Sequence, residues 1–101
     1  MKPEQIAVTI LTACGEARGR VREAMDAIAA QEFDRADEFL KECTELFQRA
    51  HSAHILLIQD EARGELVQPS LLIIHALDIM IAAESERDMA EKILQIERAR
   101  S

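Results

Sequence analysis

His75 and Asp78 are the residues best equipped for chemistry in this chain. They sit three positions apart inside the run Ser70-Leu71-Leu72-Ile73-Ile74-His75-Ala76-Leu77-Asp78-Ile79-Met80-Ile81-Ala82-Ala83. At i and i+3 of a helix, two side chains share one face. Burying an imidazole or a carboxylate without a partner costs several kcal/mol, so their presence among aliphatic residues needs a reason. The spacing allows a hydrogen-bonded core pair, a bound metal ion, or a reaction that uses an imidazole neutral near physiological pH. Cys14 and Cys43 also fall among apolar residues at helical spacing. They are expected to be buried free thiols rather than a disulfide or a metal pair.

The run around His75 is apolar on every helical face except at that histidine and aspartate. In a chain of 101 residues, two neighbouring helices can cover only part of such a segment, so a further layer from other subunits is expected. The rest of the composition agrees with a small helical protein. Gly 3 and Pro 2, with abundant Ala, Leu, Ile and Glu, favour helix throughout, and the length suits one domain, residues 1–101. A formal net charge of -7 argues against nucleic acid and anionic membranes, which reward Lys and Arg. The start Met1-Lys2-Pro3-Glu4 lacks the pattern of a secretion signal, so a cytoplasmic protein is expected. Gln68, Pro69, Ser70, His75 and Asp78 interrupt the longest apolar stretch and make membrane insertion unfavourable.

Three helices are expected, over about 3–30, 33–63 and 70–98. In the first, Ile6, Ile10, Ala13, Ala17, Val21, Ala24 and Ile28 form an apolar stripe at alternating steps of four and three. In the second, Ala36, Leu40, Cys43, Phe47, Ala50, His54 and Leu57 repeat that rhythm, and Phe39, Leu46 and Ala53 widen the face. Gly64 suits a left-handed cap and Pro69 bars simple continuation. The first connection, Ala29 to Asp34, contains neither Gly nor Pro. A turn is placed there because one helix from Pro3 to Gly64 would be far longer than small domains use. The outcome is an all-α, up-down-up antiparallel three-helix bundle that self-associates through its third helix. The acidic residues Glu84, Glu86, Asp88 and Glu91 read as a solvated face. Arg18, Arg20 and Arg22 are expected to pair within their helix with Glu16, Glu23 and Asp26.

With these elements in place, the sequence resembles the enzyme IIA component of the lactose, cellobiose and chitobiose class of the bacterial sugar phosphotransferase system. The matching pieces are Ala17-Arg18, Phe33-Asp34 with Ala36, Ala50-His51-Ser52, Glu61-Ala62-Arg63-Gly64-Glu65, and Ser70-Leu71-Leu72 leading into His75-Ala76-Leu77-Asp78. The resemblance implies a homotrimer of three-helix bundles and a phosphohistidine carrier in which His75 matches the phosphorylated residue. It implies two partners: the general phosphocarrier protein as donor, and a cysteine of the enzyme IIB component as acceptor. It also implies that Asp78 matches an aspartate gathered with its copies around a divalent metal ion at the trimer axis. Three carboxylates brought together repel without a cation, which gives such a metal a physical role.

The sequence departs from that family at the site itself. Members usually read His-x-Gln-Asp-His here, whereas this chain has Leu77 for the glutamine and Ile79 for the second histidine. Two polar neighbours are thereby lost, and with them stabilisation of a doubly charged phosphoryl group. His54 stands where the family commonly has glutamine, and His51 follows a matched alanine; both are auxiliary candidates for the missing donor, and His54 is also readable as a packing residue. Retention of His75 favours the carrier. The loss of the glutamine and histidine favours the alternative, a non-catalytic or regulatory helical oligomer derived from the family. A metal-binding module built on His75, Asp78 and a subunit-related copy has the least specific spacing.

Overall fold

Caps that can be traced residue by residue set the helix ends. The computed structural model describes residues 2–101, which form α1 (Pro3–Ala29), α2 (Phe33–Ala62) and α3 (Leu71–Arg100). Met1, the first residue of the N-terminal stretch considered above, lies outside the described residues. Among the described residues there is no strand, and no helix is long and apolar enough to cross a membrane. Pro3 opens α1, where its missing N–H has no helical partner to lose. Ser70 caps α3, its hydroxyl accepting a hydrogen bond from the Ile73 N–H at 3.3 Å.

The connection that lacks glycine and proline is a turn all the same. Gln31 takes the left-handed conformation, with φ 62°. Its N–H donates to the Ile28 carbonyl at 2.9 Å, and the Glu32 N–H donates to the Ala27 carbonyl at 2.8 Å. This paired bonding is a Schellman cap, a motif that usually has glycine at the left-handed position. The end of α2 uses the same device with the expected residue. Gly64 has φ 78°, its N–H donates to the Glu61 carbonyl at 3.0 Å, and the Glu65 N–H donates to the Asp60 carbonyl at 2.9 Å.

The helices lie side by side in a body measuring 54 × 18 × 17 Å. α1 packs along both others, whereas α2 and α3 share the least contact. All seven stripe residues expected for the first helix are buried, and so are those of the second, with His54 only half-buried. On α3 the buried positions are Ile73, Ala76, Met80, Ala83, Ala90 and Leu94. Arg87 occupies the one slot of that rhythm which is not apolar, and its guanidinium lies over the Phe47 ring at 5.0 Å from the centroid. Cys14 and Cys43 are buried free thiols, and the Cys43 Sγ donates to the Ala17 carbonyl at 3.3 Å. Burial pushes each thiol up to about 11.

Two expectations about charge are corrected. Arg18 does not pair within α1: it crosses to Glu86 of α3, Nε to Oε1 at 2.7 Å and Nη2 to Oε2 at 3.1 Å. Arg20 keeps an intrahelical pair with Glu23 but also reaches Glu42 of α2 at 2.9 Å. The acidic face of α3 is therefore not wholly solvated, because Glu86 and Glu84 both tie α3 to its neighbours; Glu84 lies 3.1 Å from His51 Nε2. Fixed spacing along one helix revealed the possible intrahelical pairs. Only the packing of α3 against α1 and α2 reveals the crossed ones.

The left-handed Gln31 carries a conformational cost of roughly 1 kcal/mol that glycine does not. Gln31→Gly is expected to raise the urea midpoint, with a net gain of about 0.5 kcal/mol once the added chain entropy is subtracted; a clear loss of stability would contradict the cap. The buried thiols bind protons more tightly folded than unfolded, since each is raised from 9.0 to about 11. Their contribution is complete below about pH 9 and is lost as pH rises through about 11. Urea titrations across that window should therefore show the wild type losing more stability than the Cys14→Ala, Cys43→Ala double variant.

Candidate functional site

Helical register sorts the outward residues of α3 into three lines. His75, Ile79, Ala82 and Glu86 follow one another at steps of four, three and four, and Glu86 fixes this flank toward α1 through Arg18. Leu77, Glu84 and Glu91 run down the opposite flank, which Glu84 fixes toward α2 through His51. Between them, Ile74, Asp78, Ile81 and Ser85 form an outer line facing away from both neighbours. Ile74 is 45% exposed and Ile81 66% exposed, although both are aliphatic. α3 thus has a covered apolar face and an uncovered one, as its all-round apolarity requires of a helix with two neighbours.

His75 and Asp78 are both exposed in the protomer. The ion-paired histidine among the described residues is His51, so His75 and Asp78 do not form the hydrogen-bonded core pair that their spacing allowed. The candidate auxiliaries do not join His75 within one chain. His51 is engaged with Glu84 on the α2 flank. His54 is half-buried and lines an open cavity of about 270 Å³ between α2 and α3, shared with Leu57, Ile73, Ile74 and Leu77. Leu77 and Ile79, on the two flanks, are half-buried and packed against the core, and neither offers a polar group beside His75 or Asp78.

Among the described residues of one protomer, no three His, Cys, Asp or Glu side chains converge to hold a metal ion. A metal at Asp78 therefore needs carboxylates from more than one chain. The side chain suits that use: it is exposed, lies midway along the outer line, and offers the hard oxygen donors that divalent cations such as Mg²⁺ or Ca²⁺ prefer. Arg87 is the functional-looking residue that reading the sequence missed. Its Nε is buried without a hydrogen-bond partner among the described residues, and the available signal was an arginine in the register of an otherwise apolar stripe.

Comparisons with known proteins converge with this geometry. Residues 5–98 match the family described as "PTS system, Lactose/Cellobiose specific IIA subunit". The lichenan-specific phosphotransferase enzyme IIA component of Bacillus subtilis is 33% identical over 93 residues, covering 92% of this chain and 84% of its own. The lactose-specific EIIA component of Staphylococcus epidermidis is 30% identical over 87 residues, covering 86% of this chain and 84% of its own. The crystal structure of the cellobiose-specific enzyme IIA from Bacillus anthracis superposes with a TM-score of 0.91 at 30% identity, covering 98% of this chain and 91% of that one. The chain, a bundle of three helices with an exposed histidine on the third, belongs to the lactose/cellobiose-specific enzyme IIA family of the sugar phosphotransferase system.

Proposed function

We propose that this protein is a phosphohistidine carrier of a sugar phosphotransferase system, with His75 as the residue that takes the phosphoryl group. The observation that carries the reading is the exposure of His75 on one flank of α3, free of any ion pair among the described residues, in a chain of this family. A neutral imidazole nitrogen can attack the phosphorus of a phosphohistidine on the general phosphocarrier protein. The new N–P bond forms as the donor's N–P bond breaks, and the donor nitrogen keeps the electron pair. The second transfer runs the same way, a cysteine thiolate of enzyme IIB displacing the His75 nitrogen. Such transfers need alignment and stabilisation of charge on the phosphoryl oxygens, and no separate base at His75. The carrier would work in the cytoplasm with these two partners.

The same reading makes the protein a homotrimer closed around the outer line of α3. Ile74 and Ile81 would then leave water, and three copies of Asp78 would meet near the axis. A divalent metal bound by those carboxylates would offset their mutual repulsion. The second reading, a non-catalytic or regulatory trimer, draws on Leu77 and Ile79, whose side chains serve the core and offer the phosphoryl group nothing.

Intact-protein mass spectrometry after incubation with phosphoenolpyruvate, enzyme I and the general phosphocarrier protein separates the two. Wild type is expected to gain one acid-labile phosphoryl adduct per chain and His75→Ala none. A wild type that stays unmodified, beside a standard acceptor that is labelled, would establish the non-catalytic reading. Sedimentation equilibrium is expected to return a trimer, and Asp78→Leu should keep or raise its stability because apolar packing can replace a costly cluster of charges. A monomeric wild type, or dissociation of the Asp78→Leu variant, would overturn the axial arrangement.

A further inference from the structure

The seams between the three helices are held by different means. α1 packs along both other helices, whereas α2 and α3 share the least contact. The side chains that span the α2–α3 seam near the surface are largely polar. His51 lies 3.1 Å from Glu84, the Arg87 guanidinium lies over the Phe47 ring, and Arg98 reaches Asp34 at 3.1 Å and also Asp37. Pairs exposed to this degree are weak and are screened by salt. The packing is interrupted on either side of Arg87 by an open cavity. One, of about 270 Å³, holds His54, and the other, of about 370 Å³, is lined by Leu40, Lys41, Thr44, Leu94 and Gln95.

Arg87 itself is poorly satisfied when the seam is closed. Its Nε is buried with no hydrogen-bond partner among the described residues, so closure gives up hydration of that N–H without replacing it. Its carboxylate neighbours, Asp88 at 3.1 Å and Glu91 at 3.9 Å, belong to α3 and travel with it. On the other side of α3, Arg18 grips Glu86 with two hydrogen bonds and ties the helix to α1. The connection between α2 and α3 is fastened to the Asp60 carbonyl by the N–H groups of Glu65 and Leu66, in its first half, so its second half can follow a movement of α3.

We infer that α2 and α3 part along their shared seam as a unit, α3 rolling on α1 while the α1–α2 hairpin stays closed. Elements with little buried contact and exposed polar links open at a lower free energy than the whole fold. Parting hydrates the Arg87 Nε, releases His51 from Glu84 and Arg98 from its aspartates, and leaves the Arg18–Glu86 pair intact. It joins the two cavities into one cleft with His54 and Phe47 on its α2 wall. The movement does not involve His75 and stands whether or not that residue carries phosphate.

Double electron–electron resonance tests the inference on full-length protein carrying Cys14→Ala and Cys43→Ala, with spin labels at Lys41→Cys and Gln95→Cys across the α2–α3 seam. A second sample, labelled at Glu16→Cys and Glu45→Cys, reports on α1 and α2. Both are diluted with unlabelled protein so that only distances within one chain are read. The 41–95 pair is expected to show a second, longer distance, and the 16–45 pair a single one. Raising the ionic strength to about 0.5 M, where the screening length is roughly 4 Å, should enlarge the longer population. Arg98→Gln should enlarge it about threefold, the factor that loss of one exposed ion pair implies, with helical circular dichroism unchanged so that fraying of the last turn is excluded. Arg87→Leu should shrink it, since an aliphatic side chain packs on Phe47 and leaves no N–H unpaired. A single 41–95 distance that ignores salt and Arg98→Gln overturns the inference. Equal broadening of both pairs overturns it too, because the whole bundle would then be loosening. A longer population that grows in Arg87→Leu would show that the stacked cation holds the seam shut, and would overturn the part assigned to its unpaired Nε.

Discussion

One constraint governs this protein: α3 carries more apolar surface than two neighbouring helices can cover. Its inner stripe, from Ile73 to Leu94, is buried against the α1–α2 hairpin, while Ile74 and Ile81 remain exposed on the outer line. Fully burying an exposed aliphatic side chain contributes roughly 1.5–3 kcal/mol, and Ile74 and Ile81, partly covered in the protomer, forgo a share of that. His75 sits on the seam between the covered and uncovered faces of that helix. A residue there is held by a rigid element and can still be reached from outside the protomer.

The contacts that orient α3 are mostly polar and individually weak. Arg18 with Glu86 and His51 with Glu84 are partly exposed pairs, and such pairs contribute about 0–1 kcal/mol each. Their importance is directional, since one ties α3 to α1 and the other ties it to α2 on the opposite flank. Together with Arg87 over Phe47, they fix the rotation of α3 about its axis, and hence which way His75 and Asp78 point. Stability comes from the stripes, and register comes from the charges laid across them.

Leu77 and Ile79 bring packing, rather than chemistry, to the neighbourhood of Asp78. Both side chains are half-buried and packed against the core, where they add apolar contact and offer no hydrogen-bond donor. Phosphoryl transfer between histidines asks little of the protein beyond alignment and charge stabilisation.

The bundle was legible in the sequence because its determinants are local and periodic. Steps of three and four identified the stripes of α1 and α2 residue by residue, Gly64 marked the left-handed cap, and the uncovered apolar line of α3 could be inferred from a helix lacking any polar face. The Gln31 cap had no such signal, since a left-handed glutamine looks like any other helical residue until hydrogen bonds from Gln31 and Glu32 close it. The pairing of Arg18 with Glu86 and of His51 with Glu84 was equally hidden, because contacts across 68 and 33 residues depend on how the helices rotate against each other. The sequence alone determined that His75 and Asp78 share one helix and stand three residues apart. Only the tertiary structure decided that they are exposed, that His54 lies on the far flank, and that neither auxiliary histidine meets His75 within its own chain. Helical periodicity is a property of neighbours along the chain, whereas the direction a helix face takes is set by what packs against it.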